Sequence, residues 1–255
     1  MKPLKIDVVS DVVCPWCFIG KRHLDRALEL WREEQPDCAV TIHWRPFFLN
    51  PDTAEAGEPY RPFLEKKFGG PKQLEELWQR VNAAGRTAGI EFAFEKIELR
   101  ANTLNAHRLI HYAQTKVMRN GIHPDGACRP ASEWIPSLRD IKRHPRQTES
   151  ATVTAALVEA LFAAQFLEGW HVGDRTVLAD VAAACGMDRA TVLSYLESSE
   201  DADAVRGGAS EAQRMGVSGV PFFIFNQRLA ASGAQPPEAL LQVMRQAVQE
   251  DTAAA

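Results

Sequence analysis

Residues 10–24 read SDVVCPWCFIGKRHL, with Cys14 and Cys17 three positions apart. Upstream, Leu4, Ile6 and Val8 alternate on one face until the pattern is lost at Val9, as in a buried strand. Downstream of Pro15, Ile19, Leu24, Leu28 and Trp31 share one helical face that ends before Pro36. The cysteine pair therefore stands at a strand-to-helix junction. It is open to three readings: a redox centre, half of a metal site, or two structural thiols.

A zinc ribbon needs a second close pair, and Cys38, Cys128 and Cys185 are isolated. His123, Cys128 and His144 are spaced irregularly and match no familiar ligand pattern, so no metal is assigned. Structural thiols remain an alternative, although Pro15 and Trp16 between the cysteines fit a core stripe poorly. Cys38 reads as a thiol before a strand and Cys185 as a core residue of a short helix. The redox reading has a physical basis. With Pro15 as the first helical residue, Cys14 occupies the cap, where unpaired N–H groups and the helix dipole favour negative charge. Such a thiol falls from a pKa near 8.5 into the range of ~3.5–7.5. Cys14 is then the exposed nucleophile, and Cys17, one turn on, the more buried resolving thiol.

The bulk properties exclude several classes. The chain has 255 residues, 45% hydrophobic and 24% charged, with a net charge of −4, which suits a globular protein with no polyanionic partner. No basic face interleaved with aromatics points to nucleic acid. No apolar run approaches the roughly 20 residues of a membrane span. The N-terminus, MKPLKIDVVSD, leads straight into a strand without a signal region, so a cytoplasmic location is expected. In that compartment five scattered cysteines do not suggest a disulfide framework.

Residues 39–45 form a second alternating strand, left through the loop Arg45–Pro51. From about 60 to 215 the pattern is helical. Leu74, Leu77, Trp78 and Val81 form a stripe that stops around Gly85 and Gly89, Asn102 and Thr103 offer a cap, and 151–167 is an apolar helix. Asp174 and Asp188 read as caps of helices at 175–185 and 189–198, with Gly186 closing the first. Residues 117–149 hold four prolines and several basic residues and read as a long loop or partly disordered excursion. Strand character returns at 220–225, Asn226-Gln227 can turn it, 228–232 is its antiparallel partner, and a helix follows at 237–249. The order is β-α-β, a helical block, then β-β-α. The expected class is α/β, with residues 1–55 and 212–255 in one domain and 56–211 as an inserted helical domain.

CPWC after a first strand, together with Gly219–Phe225 (GVPFFIF), resembles the thioredoxin superfamily. A helical block between the two halves resembles the DsbA arrangement. DVVCPWCFIGKRHL, WRPFFLNP, ANTLNAHRL, ALVEALFAAQFLEG and GVSGVPFFIFN look like the cytoplasmic FrnE-type branch of DsbA-family oxidoreductases. The resemblance covers nearly the whole chain apart from 117–149. It implies a thioredoxin-like fold and a cis peptide before Pro221, in a loop facing Cys14 across a shallow groove. It also implies that the Val220 backbone pairs with a bound thiol peptide. Pro15 and Trp16 would border the substrate, with Trp16 exposed at the rim. The loop holding Phe47 and Phe48 and the stretch Asn102–Arg108 would flank the groove; Phe47 reads equally as core, and His107 is placed to influence Cys14 if it points inward.

The implied activity is thiol–disulfide exchange on disulfide- or dithiol-containing proteins or small molecules. Glutathione is an expected co-substrate, no cofactor is obligatory, and a homodimer is compatible. The same branch is close to 2-hydroxychromene-2-carboxylate isomerases and kappa-class glutathione transferases, which carry serine where this chain has Cys14. A glutathione-dependent isomerase or transferase is therefore the alternative, followed by a non-catalytic binding module or holdase.

Overall fold

The computed structural model describes residues 3–116 and 149–253. Most of the proline-rich segment, with His123, Cys128 and His144, lies outside the described residues; its last residue, Glu149, opens a helix. In chain order, β1 (Leu4–Ser10) leads through α1 (Pro15–Glu34) to β2 (Val40–Pro46). A short strand β3 (Glu58–Pro59) opens the block that follows, with α2 (Tyr60–Phe68), α3 (Pro71–Thr87), β4 (Leu99–Arg100) and α4 (Leu104–Thr115). The block continues through α5 (Glu149–Phe166), α6 (Arg175–Ala184), α7 (Arg189–Glu197) and α8 (Ala202–Arg214). The chain then returns through β5 (Phe222–Phe225), β6 (Leu229–Ser232) and α9 (Pro237–Ala253).

The main sheet has the order β2-β1-β5-β6. β1 and β2 run parallel from Leu4↔Val40 to Ser10↔Pro46, with α1 as the crossover that parallel pairing requires. β5 enters antiparallel to β1, from Ile6↔Phe225 to Val9↔Phe222, so the two ends of the chain share one sheet. Asn226 and Gln227 take positive φ (49° and 59°), the backbone of a tight hairpin turn into β6. Asp174 caps α6 by accepting from the Thr176 and Val177 amides, and Asp188 caps α7 through Thr191.

α5 is the buried axis of the helical block. Leu157, Val158, Leu161, Phe162 and Phe166 are each no more than 1% exposed, and each such burial contributes about 1.5–3 kcal/mol. Phe162 stacks on Phe18 of α1 at 5.2 Å, which locks the block to the helix that carries the cysteines. A second clamp lies at the sheet edge. Gln114 of α4 accepts from the Trp44 amide and donates to the Trp44 carbonyl, so an edge strand is closed by a side chain.

α3 ends at Thr87, between the two glycines around which the stripe was expected to stop. Gly85 is a packing residue, since a Cβ there would meet the Phe92 ring at 2.5 Å. The block is also not purely helical: β3 and β4 form a ribbon, Glu58↔Arg100 and Pro59↔Leu99, that sets Tyr60 at the start of α2.

Candidate active site

Cys14 is the N-cap of α1, with extended backbone (φ −99°, ψ 112°) and Pro15 at the first helical position. Its amide donates to the Asp11 carbonyl at 3.0 Å, and its own carbonyl accepts from the Cys17 and Phe18 amides. The side chain does not cap the helix; the thiol donates instead to the Val220 carbonyl at 3.6 Å. Cys14 is therefore not the exposed group that the helix start suggested: it is 5% exposed, against 1% for Cys17. The cause is the Val220–Pro221 loop, which approaches from 206 residues away in sequence.

Both residues are thiols. Burial pushes the Cys17 thiol well above its ordinary range, and the adjacent Cys14 pushes it further. The neighbouring Ser10 side chain and Asp11 backbone work in the opposite direction. The Tyr60 hydroxyl is close enough to feel the Cys14 sulfur; burial first, and that sulfur's charge second, push its pKa well above the ordinary tyrosine value.

The Val220–Pro221 peptide is cis, and the Pro221 carbonyl accepts from the Gly233 amide at 2.8 Å. Pro221 is buried and Val220 half-buried. Gly20 explains how α1 approaches so near: a Cβ there would lie 2.8 Å from Pro221 Cγ and 3.2 Å from Phe223 Cζ. Trp16 (39% exposed) and Met215 (50%) stand on the surface at the start of α1 and the end of α8, while Pro15 is half-buried.

Phe47 and His107 sit in the interior. Phe47 is 7% exposed and packs with Val9, Ala212 and Val217 in a small core under the Val220 loop. His107 is 5% exposed, with Nε2 between the Asp11 carboxylate (3.3 Å) and the Phe47 carbonyl (3.1 Å) and its ring edge-on to Phe48. Asp11 is fully buried and its second carboxylate oxygen accepts from the Leu49 amide, so His107 and Asp11 brace the loop after β2. Cys38 and Cys185 are buried, in the turn before β2 and at the end of α6.

The sequence analysis passed over Ser10, Asp11, Gly20 and Tyr60. Gly20 had a readable signal, because glycine inside a helix costs about 1 kcal/mol relative to alanine and calls for a close neighbour. So did Ser10 and Asp11, two polar residues ending an apolar strand. Nothing local marks Tyr60, which the β3–β4 ribbon brings to the site.

Among the described residues no cluster of three or more histidine, cysteine or acidic side chains has the arrangement of a metal site. Nor, among them, is any helix long and apolar enough to cross a membrane.

Comparison with known proteins agrees with this geometry. A curated relative, the uncharacterized protein YwbO of Bacillus subtilis (strain 168), is 25% identical over 231 residues, 90% of each chain. A probable DsbA oxidoreductase from Streptomyces coelicolor superposes with a TM-score of 0.75 at 25% identity, covering 97% of this chain and 91% of that one. The cytosolic disulfide reductase DsbM from Pseudomonas aeruginosa, solved with GSH, shares the fold: TM-score 0.57, 15% identity, 96% of this chain and 99% of that one. The profile of the DSBA-like thioredoxin domain matches residues 5–123 and 137–245, and with that match over most of its length the chain belongs to the DSBA-like thioredoxin domain family.

Proposed function

We propose that this protein is a thiol–disulfide oxidoreductase working through Cys14 and Cys17. The observation that carries the reading is the Cys14 thiol at the N-cap of α1, 3.6 Å from the Val220 carbonyl beside the cis-Pro221 bond. The Cys14 thiolate attacks a substrate disulfide, and one substrate sulfur leaves as a thiol. Cys17 then attacks the Cys14 side of the mixed disulfide, releasing the second substrate thiol and leaving Cys14–Cys17 oxidised. In reverse the same steps oxidise a substrate dithiol. An extended substrate backbone beside Cys14 pairs with Val220 in strand fashion, and Pro15, Trp16 and Pro221 border it.

As a small cysteinyl peptide glutathione suits pairing with the Val220 backbone, and the DsbM structure with GSH supports glutathione as co-substrate and a cytoplasmic setting. The test is equilibration across a glutathione redox series with mass analysis. A Cys14–Cys17 disulfide that appears and disappears with the glutathione ratio is expected; its absence throughout overturns the proposal. Cys17→Ser separates the alternative, since full turnover without Cys17 fits a glutathione-dependent isomerase or transferase and excludes the dithiol cycle.

A further inference from the structure

His107 of α4 is buried, and its Nε2 lies between two acceptors, the Phe47 carbonyl (3.1 Å) and the Asp11 carboxylate (3.3 Å). A carbonyl can only accept, so Nε2 carries the ring proton and shares it between them. The other Asp11 carboxylate oxygen accepts from the Leu49 amide at 2.9 Å, and the Phe48 ring stands edge-on to the imidazole. Phe47, Phe48 and Leu49, consecutive in the loop after β2, are thus all fixed by one buried histidine–carboxylate pair.

Two routes lead from that pair to Cys14. Along the chain, the Asp11 carbonyl accepts from the Cys14 amide and the Ser10 carbonyl from the Phe47 amide, each at 3.0 Å. Through space, the Phe47 ring packs with Val9, Ala212 and Val217, and the side chains of Leu49, Val220 and Phe222 pack against that cluster. The Val220 carbonyl in turn receives the Cys14 thiol at 3.6 Å. The loop that the pair fixes is therefore the support of the backbone that faces the cysteine. Strand pairing on that backbone tolerates little displacement, because a hydrogen bond weakens steeply away from its best distance and angle.

Resting on the dithiol reading above, we propose that His107 and Asp11 are positioning residues for substrates that carry a peptide backbone. Their side chains hydrogen-bond the loop rather than the sulfurs. They hold Phe47, and through its packing the Val220 edge, where an extended backbone beside Cys14 can pair with it. The effect is selective. A disulfide with peptide amides gains from a fixed Val220, whereas a disulfide without amides has nothing to pair with it.

The experiment gives reduced protein either oxidised glutathione or bis(2-hydroxyethyl) disulfide, which has no amide, and follows the consumption of each by acid quench and mass analysis. The readout is the ratio of the two rates, which a general loss of folded protein does not move. Glutamine in place of His107 carries an N–H to about the position of Nε2; asparagine, a methylene shorter, does not reach it. His107→Asn is expected to lower the glutathione-to-hydroxyethyl ratio roughly tenfold, the worth of one hydrogen bond, and His107→Gln to restore it. Phe47→Leu keeps the hydrogen bonds of the pair but thins the packing against Val220, and should lower the same ratio. A ratio that stays at the wild-type value in His107→Asn or in Phe47→Leu, or no recovery with glutamine, overturns the positioning role and leaves the dithiol cycle standing. A wild-type protein that consumes neither disulfide overturns the cycle and the positioning role together.

Discussion

The first turn of α1 and the turn after it bury polar groups in opposite ways. In the first, the Cys14 thiol donates to the neutral Val220 carbonyl, and the Cys17 thiol is buried with the neutral Ser10 side chain and Asp11 backbone near it. In the second, Lys21 and Arg22 reach Glu159 of α5 at 2.6 Å each, and Lys21 also holds Asp25 at 2.8 Å. Glu159 (2% exposed) and Lys21 (7%) are buried as deeply as the cysteines, but opposite charge compensates them. Neutral partners leave the sulfurs free to change charge and bonding. Ion pairing holds Lys21 and Glu159 in one state, because breaking a buried pair strands a charge. One helix thus carries a reactive turn and a fastening turn side by side.

If this division holds, changes in the first turn alter chemistry with little loss of stability, and changes in the second do the reverse. The largest effect is expected from Cys14→Ala, which should reduce disulfide exchange to background in a glutathione assay while urea unfolding stays near wild type. Glu159→Ala should cost about 3 kcal/mol in urea unfolding by leaving Arg22 without its carboxylate and Lys21 with Asp25 alone. The cysteine redox equilibrium of the folded protein should be unchanged; if that moves as well, the two turns are coupled.

Gly20→Ala lies on the boundary and should affect both. Its Cβ would press on Pro221 Cγ at 2.8 Å, an overpacking cost of about 1–3 kcal/mol, offset by ~1 kcal/mol of helix propensity. A small fall in melting temperature with slower Cys14 alkylation is expected, because the loop against Cys14 shifts.

The smallest effect is at Asp7. Burial alone would raise its carboxyl, but hydrogen bonds from His43 and Arg45 and the Arg45 charge outweigh burial and hold it below the usual range. A carboxyl lowered in the folded state stabilises above its unfolded pKa of about 3.9, and that contribution is lost as pH falls through the folded value. Wild type should therefore exceed Asp7→Asn in stability at pH 6, with the gap closing as pH drops below about 4.

Much of this architecture could be read locally. Asp174 and Asp188 cap the helices they precede, and Asn226-Gln227 turns the hairpin, because caps and turns depend on residues a few positions apart. The strand-to-helix switch at Cys14 is of the same kind. The burial of Cys14 was not legible, since the loop covering it comes from the far end of the chain. His107 and Phe47 could equally have lined a groove. That they brace the interior depends on Asp11 and Val217, and neither contact has a sequence period. Gly85 reads as a helix stop until Phe92 is seen to occupy the space of its missing side chain.

The linear order of residues thus established most of the elements, though not the β3–β4 ribbon, together with the helix-capping position of Cys14 and the β-α-β…β-β-α plan, because backbone geometry and hydrophobic period are short-range properties. Packing of distant segments set the rest: which group meets the Cys14 sulfur and how deeply both sulfurs lie. Those depend on β5 pairing antiparallel with β1 and on α5 stacking against α1, contacts whose free energy exists only once the whole chain has folded.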